Sequence, residues 1–376
     1  MKALSIGNFD SFWKASLVCA GVVSWALPAW NIVVNPYQIF SDTFSVGARY
    51  TSSTTNERYL KVDYLVREAK ESSPQAAENI VAVINGPPGD RQKTKGGLPD
   101  AFIVGSSIMG MISPSLMASH FPGRDFYNLA FLAAKPDEIL ATLKALKREG
   151  IPLGTIVYGL EPIAFTDIKS YGPAYQLHPI AAQSNSQKIL FDYLFASSLS
   201  DGFSRLATVL RGEPSVRYDI EGTGRYYLDR YDHEIEKDHD AFIRKQFPMN
   251  PKPLTASPWI EKRFSEFKEL VQWLKQEKVD ARFYLNPLHP YVANAYGEDR
   301  LNEFKQSMRE LTGQASLSDC TRLLDDEGVN RRFYDYKHFR DVDAGRVLDC
   351  GLEIQQKNKR DVFSTPFTPM QSKNRL

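Results

Sequence analysis

Hydrophobic and polar positions follow two alternating periods after residue 100, which predicts strands and helices in turn. The run at 101–105 is apolar throughout, as expected of a strand buried on both faces of a sheet, and further strands are predicted at 125–131, 155–160 and 282–287. Apolar residues recur at helical spacing between and after them, in Pro136–Arg148, 260–277 and 297–311. Strands and helices at this spacing predict right-handed crossovers and a parallel sheet, with a last strand near 321–324. The predicted fold class is α/β.

The N-terminal segment has a different pattern, because Ala15 to Val34 contains no charged residue over twenty positions. That length suffices for a helix to cross the hydrocarbon core of a bilayer. Lys2 and Lys14 precede the run, so the positive-inside rule predicts a cytoplasmic N-terminus and an exported remainder. A cleaved signal peptide and a buried core helix are the alternatives. The prediction is a single-pass anchor in the inner membrane, with the following domain in the periplasm.

The remaining chain divides by composition. A cytoplasmic stub and the anchor occupy 1–35, and a membrane-proximal linker with a short amphipathic helix at 57–70 occupies 36–99. The main domain is predicted at 100–358. It contains an insertion at about 166–255, where polar aromatic stretches and a charged run interrupt the strand–helix alternation. A C-terminal tail follows at 359–376.

Charge and cysteine content exclude some classes of protein. The chain has 46 basic and 45 acidic residues, and this balance leaves no electrostatic footprint for a nucleic-acid partner. Cys19 lies in the apolar run, so Cys320 and Cys350 remain for the main domain. They can form one disulfide in an oxidising compartment or stay as two buried thiols. No residue spacing indicates a metal site or a cofactor.

Two distant segments carry the candidate chemistry. Ser107 follows the apolar run at 101–105, and Asp335 and His338 lie three residues apart near the end of the domain. A serine becomes a nucleophile when an imidazole removes its proton, and a third group must orient that imidazole. A spacing of three residues places the aspartate and histidine side chains on one face of a helical turn or tight loop. The pattern predicts a catalytic triad of Ser107, His338 and Asp335.

These blocks resemble the SGNH (GDSL) hydrolase superfamily, and within it a membrane-anchored extracytoplasmic branch. That branch includes the alginate O-acetylation proteins and the protein that helps to D-alanylate teichoic acids. The first block matches Gly105-Ser106-Ser107 and the last matches Asp335 and His338, while 127–138 and 158–165 resemble the two blocks between. The resemblance covers about residues 100 to 350 and implies a three-layer α/β/α sandwich with a parallel sheet.

The resemblance also implies an oxyanion hole, which this chain matches incompletely. The Ser107 N–H is one expected donor, and Ala133 stands where the family uses the N–H of a glycine. Glu161 stands where the family has an asparagine amide, and an ionised carboxylate would repel an oxyanion. Asn128 is an alternative donor. His289 either lines the cleft from its loop or has a structural role.

Two functions follow as expectations from the resemblance. The first is an esterase or O-acetyltransferase that acts on a cell-envelope or exported polysaccharide through an acyl-Ser107 intermediate, with a membrane-bound acyltransferase as a partner. The second is a catalytically silent, glycan-binding or scaffold subunit of an exopolysaccharide acylation or export complex. The glutamate at position 161 favours the second.

Overall fold

The computed structural model describes ten ranges of the chain: 6–40, 51, 54–72, 97–167, 172–182, 186–195, 199–211, 217–252, 254–313 and 317–352. The predicted tail at 359–376 lies outside the described residues.

Five parallel strands form one sheet, in the order β2-β1-β3-β4-β5. The strands are β1 (Ala101–Gly105), β2 (Phe126–Asn128), β3 (Thr155–Leu160), β4 (Asp280–Leu285) and β5 (Ser318–Asp319). The predicted α/β class with a parallel sheet is confirmed.

Helices connect and flank these strands. The first seven are α1 (Ile6–Val34), α2 (Glu57–Glu71), α3 (Ser107–Gly110), α4 (Pro114–His120), α5 (Pro136–Arg148), α6 (Pro179–Ala182) and α7 (Ser186–Phe195). The next six are α8 (Leu199–Leu210), α9 (Asp229–Lys237), α10 (His239–Gln246), α11 (Glu261–Gln276), α12 (Pro290–Tyr296) and α13 (Glu298–Thr312). A last helix, α14, covers 344–352. Short 3₁₀ turns lie at Pro162–Phe165, Pro173–Tyr175, Val329–Arg331 and Asp341–Asp343.

Two hydrophobic clusters cover opposite faces of the sheet. Phe102 and Val104 of β1 belong to one cluster, and Ala101 and Ile103 belong to the other, as the two-residue period of a strand requires. The first cluster includes side chains from α2, α5, α11 and α13. The second includes residues of α3, α4 and α14. The helix predicted beside the membrane, α2, therefore packs into the core of the main domain.

The N-terminal helix α1 contacts α7 and α8 of the inserted segment. It is continuous from Ile6 to Val34, with Pro28 inside it. Within the ranges given above, no helix combines the length and the apolar character that a membrane crossing needs. This finding does not support the transmembrane helix expected at Ala15–Val34.

Three predicted strands differ from the observed ones. The strand predicted at 282–287 is β4, at Asp280–Leu285, so it begins and ends two residues earlier. The strand expected near 321–324 is a turn, and β5 lies just before it at Ser318–Asp319. Asp319 ends the strand, because its carboxylate accepts hydrogen bonds from the N–H and the hydroxyl of Thr321. The run 125–131 is a strand only at Phe126–Asn128, and Leu129 and Phe131 still donate to carbonyls of β1.

The strand order predicts a crevice at the carboxyl ends of β1 and β3. β2 lies on one side of β1, and β3, β4 and β5 follow on the other side. The connections from β1 and β3 therefore leave in opposite directions, and such switch points form ligand crevices at the carboxyl ends of strands. Ser107 follows β1 and Glu161 follows β3 at this point.

Candidate active site

Ser107, His338 and Asp335 form a connected hydrogen-bonded chain. The Ser107 hydroxyl lies 2.8 Å from Nε2 of His338, and Nδ1 of His338 lies 2.9 Å from Oδ2 of Asp335. The carboxylate can only accept from Nδ1–H, so Nε2 is left as the acceptor of the serine proton. Ser107 is half-buried and remains accessible to a substrate. The structure brings together the three residues that the sequence predicted as a triad.

Asp335 is held in its ionised form by several donors. Its Oδ1 accepts from the backbone N–H groups of Lys337 at 2.7 Å and His338 at 2.9 Å, in addition to the imidazole. Burial raises the pKa of Asp335, but the bonds from His338 and the two N–H groups outweigh it and hold the pKa below its usual value. The three-residue spacing thus lets one carboxylate fix both the loop backbone and the imidazole.

The base of this loop is closed by buried aromatic residues and a disulfide. Phe333 and Phe339 form an antiparallel bridge, and Tyr334 N–H donates to His338 C=O at 2.8 Å. Cys320, after β5, and Cys350, in α14, form a disulfide with their Cα atoms 6.1 Å apart. Both phenylalanines and both cysteines belong to, or pack on, the cluster on one face of the sheet. The disulfide therefore joins the two segments that flank the loop 333–339, which we call the catalytic loop for the role proposed below.

Backbone geometry places Ser107 at the start of a short helix. Gly105 has φ +139°, and a Cβ there would lie 2.6 Å from Cγ of Met109 and 3.0 Å from the Gly159 carbonyl. Glycine is therefore required before the two serines. Ser107 is the first residue of α3, where its N–H has no acceptor within the helix. This is the position expected of an oxyanion donor.

The side-chain amide of Asn128 holds α3 in place. Its Nδ2 lies 2.8 Å, 3.1 Å and 2.9 Å from the carbonyls of Met109, Gly110 and Ile112, and its Oδ1 accepts from Ala130 N–H. The side chain is fully buried and both amide hydrogens are used. The alternative in which Asn128 donates to the oxyanion is therefore wrong, because that amide already positions the nucleophile helix.

Glu161 lies beside the nucleophile and contacts its neighbour. The hydroxyl of Ser106 donates a short hydrogen bond to Oε1 of Glu161, and Glu161 is only 4% exposed. Burial raises the pKa of Glu161 to about 7, although Ser106, His338 and Lys337 act to lower it. Near neutral pH this carboxyl can therefore be protonated, and a protonated carboxyl donates a hydrogen bond.

Asn286 is a site residue that sequence reasoning missed. It follows β4 directly, and its N–H donates to Leu160 C=O at 2.9 Å, next to Glu161. A Cβ on Gly159 would lie 2.7 Å from both polar atoms of the Asn286 amide. The amide is fully buried, and neither polar atom has a hydrogen-bond partner in the described part of the chain. The available signal was a polar residue near the carboxyl end of the strand predicted at 282–287.

The second expected oxyanion donor, Ala133, lies in a loop whose backbone forms hydrogen bonds with charged side chains of α2. Ala133 has φ +49°, a left-handed conformation that favours glycine. Glu57 accepts from Leu132 N–H, Arg58 donates to Leu132 C=O at 2.5 Å, and Lys61 donates to Ala130 C=O at 2.5 Å. All three charged side chains are buried, and burial lowers the pKa of Lys61. The loop is therefore fixed from outside the main domain predicted by sequence.

Residues of the inserted segment also form hydrogen bonds and an ion pair with the segments around Ser107 and His338. Arg225 donates from Nε to Met111 C=O at 2.8 Å, at the end of α3, and its guanidinium pairs with Asp341, after the catalytic loop. The hydroxyl of Tyr334 donates to Asp232 of α9 at 2.6 Å. Arg225 thus links the segment that carries Ser107 to the segment that follows His338, which sequence analysis did not predict.

His289 has a structural role. Its Nδ1 accepts from Tyr291 N–H at 3.1 Å as the cap of α12, and its Nε2 lies 2.9 Å from Oδ1 of Asn330. Its ring stacks on Phe247 and contacts Tyr336 of the catalytic loop edge-on. Burial lowers the pKa of His289, so the neutral ring is favoured. Of the two alternatives for this residue, the structure supports the structural one.

Comparison with known proteins adds no identification, since no family model and no curated protein sequence matches the chain. Function is therefore inferred from the geometry of the site.

Proposed function

We propose that the protein is a serine-dependent acyl esterase or acyltransferase that works through an acyl-Ser107 intermediate. The observation that carries this proposal is the continuous hydrogen-bonded chain from the Ser107 hydroxyl through His338 to Asp335. Ser107 Oγ attacks the ester carbonyl while His338 Nε2 takes its proton. The C–O bond of the tetrahedral intermediate then breaks, and His338 returns the proton to the leaving alcohol.

The second half-reaction reverses these roles. His338 removes a proton from water or from a sugar hydroxyl, which attacks the acyl-Ser107 carbonyl. The bond from the acyl carbon to Ser107 Oγ then breaks, and His338 returns the proton to Oγ, which restores the free enzyme. Attack by water gives an esterase, and attack by a sugar hydroxyl gives a transferase. Asp335 keeps the imidazole in the required tautomer through both halves.

Oxyanion stabilisation in this proposal comes from fixed backbone donors. The N–H of Ser107 at the start of α3 is the first, and the N–H of Ala133 is the second. The left-handed φ of Ala133 supports its match to the family glycine. Glu161 in its protonated form removes the repulsion that an ionised carboxylate would exert on the oxyanion.

We further propose that the fold is the three-layer sandwich of SGNH hydrolases and that the substrate is an acylated cell-envelope or exported polysaccharide. Helices on both faces of the parallel sheet and the order Ser, Asp, His support the fold assignment. The substrate class depends on the resemblance to that superfamily, as does a membrane-bound acyltransferase partner.

The proposed location is the outer face of the cytoplasmic membrane, with α1 as the attachment. The Cys320–Cys350 disulfide supports an oxidising compartment, and the two lysines before the charge-free run support export of the domain after it. A reporter that is active only outside the cytoplasm, fused after Leu376, should be active. An inactive fusion would contradict this location.

A fluorophosphonate probe tests the catalytic proposal directly. Wild-type protein should be labelled and should hydrolyse a small acetyl ester, and Ser107→Ala should lose both properties. Ser106→Ala is the matched control, since it removes the neighbouring hydroxyl and should keep the label. A folded wild-type protein that takes no label and cleaves no ester would contradict the enzyme.

The second candidate function is a silent glycan-binding or scaffold subunit, and the glutamate at position 161 is the observation that favours it. Absence of labelling, together with measurable binding of an acetylated polysaccharide, is the result expected of such a subunit.

A further inference from the structure

Exposed apolar side chains concentrate on three helices far from the triad in sequence. Ten of the thirteen large hydrophobic residues that are exposed within the described ranges belong to α1, α7 and α8. These ten are Leu17, Trp25, Ile32, Val33, Leu190, Phe191, Phe195, Leu199, Phe203 and Leu210. Together they define what we call the apolar surface. A concentration of this kind marks an interaction site in a folded protein.

The polarity of α8 is reversed relative to a helix on a water-exposed surface. Phe203 is 58% exposed and Leu210 is 76% exposed, and with Leu199 they fall within about 40° of one another around the helix axis. Arg205 is only 2% exposed, and its Nε donates to Val34 C=O at 3.0 Å. A helix facing water buries its apolar side and exposes its charged side. This helix does the opposite.

The neighbouring segments show the same reversal. The fully buried Asn31 of α1 donates from Nδ2 to Leu194 C=O at 2.8 Å, and Tyr37 donates to Asp201 of α8 at 2.8 Å. The rings of Phe191 and Phe195 stack on the exposed side of α7, with centroids 4.6 Å apart. Polar groups thus connect α1 and α8 to their neighbours, while the large hydrophobic side chains named above are exposed.

The apolar surface is continuous with the charge-free run in α1. The rings of Trp30 and Phe203 lie 4.9 Å apart, and a Cβ on Gly202 would lie 2.3 Å from Nε1 of Trp30. Glycine at 202 therefore allows α8 to approach α1 closely. The run from Ala15 to Val34 has no charge of its own, whereas on α7 the exposed Lys188, paired with Asp192, lies beside Phe191 and Phe195.

We propose that the apolar surface lies in the interface of a lipid bilayer, with α7 and α8 resting on the membrane beside α1. Interfacial helices bury an apolar face at the boundary of headgroups and acyl chains. A protein interface would pair an apolar centre with a polar rim that supplies hydrogen bonds. Here the charged groups of α8 already bond inward, Asp201 with Tyr37 and Arg205 with Val34, and the exposed Lys188 of α7 can extend to the lipid headgroups.

The test places an environment-sensitive label on the full-length protein. Cys19→Ala removes the one cysteine outside the disulfide, and Phe203→Cys or Phe191→Cys then carries a nitrobenzoxadiazole group. The protein is reconstituted into vesicles of phosphatidylethanolamine and phosphatidylglycerol, with or without bromine on the acyl chains. The label at either position should emit at shorter wavelength than the same dye in buffer, and brominated chains should quench it.

Met249→Cys is the matched control, because Met249 is 98% exposed and lies outside the apolar surface. Its label should show neither the blue shift nor the quenching. A blue shift at 203 without bromine quenching would mean contact with protein, including a second copy of the chain, and would overturn the proposal. A water-exposed label at 191 and 203 would overturn it too. The result is independent of the chemistry at Ser107, since neither label touches the triad.

Discussion

Two carboxyl groups lie near Ser107, and their surroundings shift their pKa values in opposite directions. On one side, Asp335 accepts from the imidazole of His338 and from two backbone N–H groups, and its pKa is lowered. On the other side, Glu161 is buried with a hydroxyl donor, Ser106, and its pKa is raised to about 7. Near Glu161 the buried amide of Asn286 has no partner in the described ranges.

Asp335 therefore carries a fixed negative charge near neutral pH, whereas the charge of Glu161 is adjustable because it changes with pH in that range. A carboxylate with several donors stays ionised through the pH range in which an imidazole works, so Asp335 suits the task of orienting His338. A buried carboxyl with a pKa near neutrality changes its charge within that same range. Leaving a buried amide unpaired costs about 1–3 kcal/mol, and such groups belong where water or substrate supplies the missing bonds. The Glu161 side is therefore where we expect the chemistry to be tuned.

The largest expected effect comes from removing the nucleophile or the base. Ser107→Ala and His338→Ala should each reduce ester hydrolysis by about 10⁵–10⁶-fold, and the double variant should lose little more, because the members of a triad act as a unit. Rates on a small acetyl ester measure this. If the losses in the double variant were the sum of those in the single variants in free energy, Ser107 and His338 would not act in one mechanism, and the proposed triad would be wrong.

The next effect tests whether Asp335 is a fixed charge. Asp335→Asn should lower the rate by up to ~10⁴-fold, because an amide can stabilise the wrong imidazole tautomer. Steady-state rates across a pH range of about 5 to 9 check this. A loss below about 10-fold would show that His338 is oriented without the carboxylate.

The disulfide should stabilise the side of the site that carries Asp335 and His338. Replacing Cys320 and Cys350 with Ala should lower the free energy of unfolding by about 3 kcal/mol, because the bridge closes a loop of about 30 residues. Denaturant unfolding of the oxidised wild type and of the variant measures the difference. Cys19→Ala is the control and should leave the free energy unchanged, whereas equal losses in both variants would contradict the assignment.

The smallest expected effect on the rate comes from Glu161, whose charge changes with pH. At about pH 9, where Glu161 is ionised, Glu161→Gln should be faster than the wild type by on the order of 10-fold, because the amide does not repel the oxyanion. At about pH 5.5, where Glu161 is protonated, the two should be similar. A lower activity of the variant at every pH would mean that the carboxyl itself is needed, for example to hold a substrate hydroxyl.

Glu161→Gln should also change how the free energy of unfolding depends on pH. The folded pKa of Glu161, about 7, exceeds the unfolded value of 4.5. The resulting stabilisation is therefore complete below pH 4.5 and is lost as the pH rises through 7, by about 3 kcal/mol in total. Glu161→Gln should remove this decline from the pH dependence of the unfolding free energy. An identical decline in both proteins would show that Glu161 titrates normally.

Local sequence determined much of the fold and indicated the three residues that we propose as a triad. The apolar runs of β1 and β3 are buried because every residue in them is apolar or small enough to be covered on both faces, and helix α5 follows its heptad-like spacing from Pro136 to Arg148. Asp335 and His338 are close in sequence, so their hydrogen bond is local. The alternation of strands and helices then brings Ser107 to the same sheet edge.

Only the tertiary structure decided which groups surround these residues. The sequence suggested Asn128 as a donor to the oxyanion, but its amide hydrogens already bond to carbonyls of α3. Glu161 replaces the asparagine of the family, and burial raises the pKa of its carboxyl. The insertion and α2, which lie outside the strand–helix alternation, hold both α3 and the Ala133 loop through contacts distant in sequence. Burial and hydrogen-bond partners are properties of the packed chain. A sequence pattern can place a residue at a sheet edge, whereas its partners and its pKa depend on which distant segments pack against it.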